Sequence, residues 1–291
     1  MSAVVYVNGT IARGDTASIP IFDHGFLYGE GIYETLRTYH GEPFLFDQHA
    51  QRLRRSAAFM ALTLPWSDDD LLARVRETMA AHGDLTEAYI RILVTRGIGD
   101  LSYNPAATPV PSLVIIVKPY VGPPPASFTD GIRLSLVSIR RNHPQALNPA
   151  MKSNNLLNNA LAMQEALRAG ADEALMQNQA GELVECSQSN VFLVRDGEVL
   201  TPPLEAGLLP GITREYVMEL AREIGVRARE ATLTPADLPH ASEAFITGTT
   251  REVTPVIAID ALTIGAGRPG PVTMRLLERF RAAVAERAYS T

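Results

Sequence analysis

The sequence predicts an α+β chain built as two domains, and three observations predict it. Short runs rich in β-branched and aromatic residues alternate with longer stretches whose apolar residues recur at helical spacing. A proline-dense stretch, Pro119-Tyr-Val-Gly-Pro-Pro-Pro-Ala-Ser127, interrupts that alternation and cannot continue a sheet. The 291 residues, 46% hydrophobic and 20% charged, suffice for one large core or two moderate ones. A small N-terminal α+β domain is expected over residues 1–120. A Pro-rich linker, stiff and extended, follows over 121–130, and a larger C-terminal domain over 131–291.

In the first half, 4–7, 33–39, 89–95 and 113–117 read as strands. Two helices lie between them. One runs over 47–62, with Asp47 as its cap; the other over 67–82, opened by Ser67-Asp-Asp-Asp70 and closed near Gly83. In the second half, strands are expected at 132–137, 173–177, 190–194, 244–247 and 253–259. Helices are expected at 154–169, 213–224 and 272–289, the middle one announced by Leu209-Pro-Gly-Ile-Thr213.

A formal charge of -6 and a pI near 5.6 argue against a nucleic-acid surface, since no basic cluster exceeds Arg52, Arg54 and Arg55. Small-molecule partners are expected instead. Met1 to Tyr6 lacks the basic start of a signal peptide. No apolar run approaches the roughly 20 residues that span a bilayer, so a cytoplasmic protein without membrane contact is expected. Cys186 stands alone and the six histidines show no ligand spacing, so no metal site is expected.

Only two of the 26 basic residues are lysines, Lys118 and Lys152. A guanidinium stays protonated and cannot attack a carbonyl, whereas a lysine amine of lowered pKa forms a Schiff base. Lys152 sits in Lys152-Ser-Asn-Asn-Leu-Leu-Asn-Asn-Ala-Leu-Ala162. Downstream come Gly170-Ala-Asp-Glu-Ala174, Glu185-Cys-Ser-Gln-Ser-Asn-Val-Phe192, Leu209-Pro-Gly-Ile-Thr-Arg214 and Gly248-Thr-Thr-Arg-Glu-Val-Thr-Pro255. Upstream stand Asp23-His-Gly-Phe-Leu-Tyr-Gly-Glu-Gly-Ile-Tyr-Glu34 and His49-Ala-Gln-Arg-Leu53. In order and spacing these segments resemble the class IV aminotransferases, pyridoxal-phosphate enzymes of fold type IV, over nearly the whole chain.

The resemblance implies a small α/β domain beside a larger domain with a β-barrel-like core flanked by helices. It implies pyridoxal 5'-phosphate as cofactor, held on Lys152, whose freed amine carries the catalytic proton. Glu185 would keep the ring nitrogen protonated. Ile212 and Thr213 at a helix start, Arg52 and Thr249 would bind the phosphate, and Leu209 would cover one face of the ring. Thr250 and Tyr89 would meet the substrate carboxylate, Arg91 the distal carboxylate of glutamate or 2-oxoglutarate, and Tyr33 would line the pocket. The functional unit implied is a homodimer, each site between the two domains of one subunit and closed by a partner loop that includes Gly99 to Tyr103.

Tyr89-Ile-Arg91 and Thr95-Arg-Gly-Ile-Gly-Asp-Leu101 resemble the branched-chain aminotransferases, and strand alternation puts Tyr89 and Arg91 on one face. The expected reaction moves the amino group of hydrophobic L-amino acids to 2-oxoglutarate by a ping-pong mechanism. Two alternatives stand beside it. Leu156 and Leu157, where branched-chain enzymes carry a tyrosine, look like the D-amino-acid aminotransferases, although the Arg-X-His of those enzymes is missing from Gly97 to Tyr103. Tyr33-Glu-Thr with Arg37 is similar to the 4-amino-4-deoxychorismate lyases, which release pyruvate. The spacing leaves open which of Arg37, Arg91 and Arg96 meets a second carboxylate.

Overall fold

The computed structural model describes residues 3–83 and 85–288. The chain divides into two compact units, Met1–Val121 with Met151–Asn155, and Gly122–Ala150 with Leu156–Thr291.

The first unit is a six-stranded sheet of β1 (Val4–Val7), β2 (Thr10–Arg13), β3 (Gly31–Tyr39), β4 (Glu42–Pro43), β5 (Ala88–Thr95) and β6 (Ser112–Pro119), with a single-turn helix α1 (His24–Leu27) ahead of β3. Its order is β2-β1-β6-β5-β3-β4, and every pairing is antiparallel. Because a strand's side chains alternate between faces, β3 and β5 each divide cleanly. Ile32 and Leu36 of β3, Ile90 and Ile92 of β5, and Leu113, Ile115 and Val117 of β6 form one buried face. Against it pack Leu53 and Ala57 of helix α2 (Phe46–Phe59) and Leu71 and Val75 of α3 (Asp68–His82). Tyr33, Thr35, Arg37, Tyr89 and Arg91 are left for the other face.

Local chemistry starts α2 and α3 in two different ways. Ser67 caps α3 in a reciprocal box with Asp70, each side chain meeting the other residue's backbone N–H. At α2 the expected Asp47 cap is not formed: Leu45, at φ 54°, is the capping residue, with no side-chain bond. Asp47 lies inside the first turn, where its charge meets the positive end of the helix dipole.

The segment around Lys152 corrects the expected boundary, since 151–155 belongs to the first unit rather than to 131–291. Edge strand β4 covers only Thr38 and Tyr39 of β3, which leaves the start of that edge open. The lysine segment fills it: Tyr33 N donates to Lys152 O (2.9 Å), Asn154 N donates to Gly31 O (2.8 Å), and Ile32 bridges Ser153. The linker differs too. Pro125, at φ -51°, ψ -35°, opens the single-turn helix α4 (Ala126–Thr129) instead of an extended connector, because proline suits a first helical turn. Pairing with β3 also removes 154–156 from the expected helix, so α5 spans Leu157–Arg168.

The second unit is a nine-stranded sheet. Its strands are β7 (Ile132–Arg140), β8 (Glu173–Gln177), β9 (Leu183–Cys186), β10 (Asn190–Arg195), β11 (Glu198–Thr201), β12 (Ala228–Glu230), β13 (Glu243–Gly248), β14 (Glu252–Ile259) and β15 (Leu262–Thr263). They run β12-β11-β10-β13-β14-β7-β8-β9, with β15 on β14. The sheet curls on itself: Leu183 N of edge strand β9 donates to Leu233 O, just past the opposite edge strand β12 (2.7 Å). Inside the curl Leu134, Leu175, Leu183, Val191, Leu193, Leu200 and Ile246 form one core. Outside it, Ala162 and Ala166 of α5 pack on Val137, Ala174, Met176 and Val184. Phe192 and Phe245, register partners, stack at 4.7 Å. Helix α6 (Ile212–Glu223) and α7 (Pro271–Ala288) complete the unit; the expected end of α7 at Tyr289 lies outside the described residues. No described helix is long and apolar enough to cross a membrane.

Leu53 is wholly buried between α2 and the first sheet. Leu53→Ala is expected to cost about 2–5 kcal/mol, from lost burial plus the residual cavity. Denaturant unfolding measures it; a loss below about 1 kcal/mol would mean that α2 is not clamped as described.

Candidate active site

In the first unit three of the expected site residues meet. Lys152 is half-buried, and its backbone is held on both sides, its N–H by Ser56 Oγ (3.1 Å) and its carbonyl by Tyr33. Its Nζ lies 4.6 Å from the centre of the Tyr33 ring, and Arg91 Cζ lies 3.9 Å from that centre. One aromatic ring thus serves two cations, a cation–π arrangement. Among the described residues no carboxylate pairs with Arg91. Tyr89 stands two residues along β5 from Arg91, on the same face, with Lys118 Nζ 4.9 Å from its ring.

The other two arginines left open by spacing are engaged elsewhere. Arg37 is buried, its Cζ 3.8 Å from the rings of both Tyr39 and Tyr120. Arg96 binds Glu30 through Nε (3.2 Å) and donates to Met60 O through Nη2 (2.6 Å).

Arg52 lies behind the sheet in a buried network that spacing did not reveal. Its Nε and Nη2 grip the two oxygens of Glu34 (2.8 and 2.7 Å), and His49 Nδ1 lies 2.7 Å from Glu34 Oε2. Burial pushes the Glu34 carboxyl up, but Arg52 and then His49 outweigh it and hold the carboxyl at about 2. Burial also holds His49 below its usual range, only partly offset by Glu34. The imidazole is therefore neutral near pH 7 and donates through Nδ1.

In the second unit Glu185 is 5% exposed and lies near the end of β9, a four-residue strand absent from the expected elements. Arg141 Nε donates to its Oε1 (2.7 Å) and Leu209 N to its Oε2 (3.1 Å). Arg141 is in turn held by Asn158 Oδ1 (3.2 Å). Glu185 and Leu209 are therefore directly joined. Two residues later Gly211 opens α6 with no side-chain cap, leaving the first amides of the helix, Ile212 and Thr213 among them, without intrahelical acceptors. A Cβ on Gly211 would collide with Asn190 Oδ1, so any other residue there would displace Asn190, whose Nδ2 holds Leu209 O (3.1 Å). Thr249 and Thr250 occupy the turn between β13 and β14. The hydroxyls of Thr213 and Thr249 have no partner among the described residues. This set suits a phosphorylated pyridine: free amides and hydroxyls at a helix start for the phosphate, and a carboxylate for the ring nitrogen. Cys186 is inert in this setting, since burial, with Glu173 and Glu185 nearby, pushes its thiol well up.

Residues 31–259 match the family described as amino-transferase class IV. The chain belongs to the class IV aminotransferases. It is 40% identical over 277 residues, 95% of each chain, to a Methanocaldococcus jannaschii protein provisionally named a branched-chain-amino-acid aminotransferase. A D-alanine aminotransferase of Listeria monocytogenes is 32% identical, covering 95% of this chain and 94% of that one. Among solved structures, the branched-chain amino acid aminotransferase of Escherichia coli superposes with a TM-score of 0.91 at 33% identity, over 96% of this chain and 93% of that one. The T.th. branched-chain amino acid aminotransferase, complexed with N-(5'-phosphopyridoxyl)-L-glutamate, superposes with a TM-score of 0.90 at 32% identity, over 98% and 94%. This aminotransferase therefore has the fold type IV architecture, acts on amino and 2-oxo acids, and works with pyridoxal phosphate as its family does.

Glu34 gives a pH prediction. Its folded pKa lies below the usual 4.5, so its contribution is fully present above about pH 4.5 and is lost as pH falls toward 2. The loss is on the order of 3 kcal/mol. Glu34→Gln should destabilise the protein by about 3–5 kcal/mol at pH 7, because it strands buried Arg52, and should flatten that acid slope. Urea melts from acid to neutral pH measure both; an unchanged slope would contradict the ionised pair.

Proposed function

We propose that this aminotransferase moves the amino group of hydrophobic L-amino acids to 2-oxoglutarate. The observation that carries the reading is Arg91, a guanidinium with no carboxylate partner among the described residues, stacked on the ring that Lys152 also faces. A distal carboxylate of glutamate or 2-oxoglutarate gives that guanidinium its partner, while Tyr33 offers apolar surface to a hydrophobic side chain.

When bound, the cofactor supplies an aldehyde that condenses with amines and a ring that draws electrons from the substrate α-carbon. Lys152 Nζ would hold the cofactor and, when free, would carry the proton between the substrate α-carbon and the cofactor's C4′. Glu185, anchored by Arg141, holds the ring-nitrogen proton. The Ile212 and Thr213 amides, the Thr213 and Thr249 hydroxyls and Arg52 receive the phosphate. Leu209 covers the ring, and Tyr89 and Thr250 orient the α-carboxylate.

We also infer a homodimer. Leu101 and Tyr103 are 68% and 83% exposed, and Gly99 N ties their loop to Phe22 O (3.2 Å), itself on a segment that carries exposed Phe26. A second copy would cover this apolar surface.

The specific alternative is a D-amino-acid aminotransferase, favoured by Leu156 and Leu157 and by the Listeria relative. Titrating the yellow holoenzyme with L-leucine and, in parallel, D-alanine separates the two. Bleaching by L-leucine alone is the expected result; bleaching by D-alanine alone would overturn the stereochemical assignment.

A further inference from the structure

We infer that Glu173 and Arg251 form a positioning pair that sets the turn carrying Thr249 and Thr250, and with it recognition of the cofactor's phosphate. This rests on the phosphate role proposed above for Thr249.

Glu173 is fully buried at the start of β8 and takes no part in the roles assigned above. An unpartnered carboxylate in such a place costs several kcal/mol, so its partners show what it is for. Oε1 accepts from Ala174 N (2.9 Å), Ser187 N (3.2 Å) and Ser187 Oγ, and Oε2 from Ser189 Oγ (3.5 Å), while Arg251 Nη2 forms an ion pair with Oε2 at 3.3 Å. These donors come from β8 itself and from two turns. Ser187 to Ser189 directly follow Glu185 and Cys186, closed by Cys186 N on Ser189 O (2.7 Å). Arg251 ends the turn that begins at Gly248, and a Cβ built on Gly248 would lie 3.6 Å from Gln188 O and 4.0 Å from Ser189 Cβ, so the two turns run close together.

Arg251 is tied at three points. Its N–H donates to Gly248 O (2.9 Å), its carbonyl accepts from Thr254 Oγ1 (2.6 Å), and its guanidinium reaches Glu173. Thr249 and Thr250 lie between the two ends of the first tie, so their backbone amides are held by it. Glu173 thereby links the turn after the ring carboxylate to the turn proposed for the phosphate. A cofactor with a fixed distance between ring and phosphate needs that spacing held, and outer groups that fix ligating residues commonly matter by about tenfold or more.

Glu173→Gln preserves volume but withdraws the charge that holds Arg251; Arg251→Gln withdraws the other half from a partly exposed position. The full-length protein, stripped of cofactor, is titrated with pyridoxal phosphate and with pyridoxal, and its thermal unfolding is recorded. Both variants should lower the preference for the phosphorylated form about tenfold while changing pyridoxal affinity little. A wild-type preference in Arg251→Gln, even with lowered thermal stability, would reduce the pair to a structural role. Should Glu173→Gln fail to fold, Arg251→Gln decides alone. Thr249→Ala separates the two levels: lost preference there but not in Arg251→Gln sinks the positioning pair only. Retained preference in Thr249→Ala as well overturns the phosphate role with it.

Discussion

A carboxylate taken out of water must be neutralised, hydrogen-bonded or paired with a cation, and Glu34, Glu185 and Glu173 each meet an arginine. Glu34 is held by Arg52, Glu185 by Arg141 and Glu173 by Arg251. Each pair fixes the local geometry of its own unit. Glu34 locks Arg52 and His49 behind the strand that carries Tyr33, and Glu185 gains both a counter-ion and a tether to Leu209. Glu173 binds two turns to one another. Buried ion pairs contribute little net stability compared with apolar packing, but each is costly to break, so they enforce one geometry rather than a deeper energy minimum.

Only two of the 26 basic residues are lysine. A planar guanidinium that never loses its proton is the better counter-ion for a buried carboxylate, since it can meet both oxygens at once. Proton transfer has the opposite requirement. The amine of Lys152 meets the ring of Tyr33 on the face of the first sheet that also displays Arg91, and the proton-carrying role proposed for it needs an amine rather than a guanidinium.

Periodicity made most elements legible, because β3, β5, β6 and α3 each bury one face against a core. It failed where backbone pairing overrode local preference. Asn154 to Leu156 read as helix but extend from a segment bonded to β3, and the four residues of β9 are too few for alternation to register. At α2, the acidic residue that looks like a cap sits inside the first turn, and Leu45 adopts the left-handed conformation instead. The proposed site residues Lys152, Glu185, Leu209, Thr213 and Thr249 stood out in the sequence because they lie in contiguous motifs. The bonds of Arg141, Asn190 and Glu173 did not, since they join residues far apart in the chain. The one available signal was chemical: a buried Glu185 requires a cation, without saying which arginine.

The most direct test is to reduce the holoenzyme with borohydride, which fixes pyridoxal phosphate to the amine that holds it, and to map the modified peptide. A phosphopyridoxyl group on Lys152 and none on Lys118 is the predicted result. Modification of Lys118 with Lys152 untouched would contradict the assignment of the site at its centre.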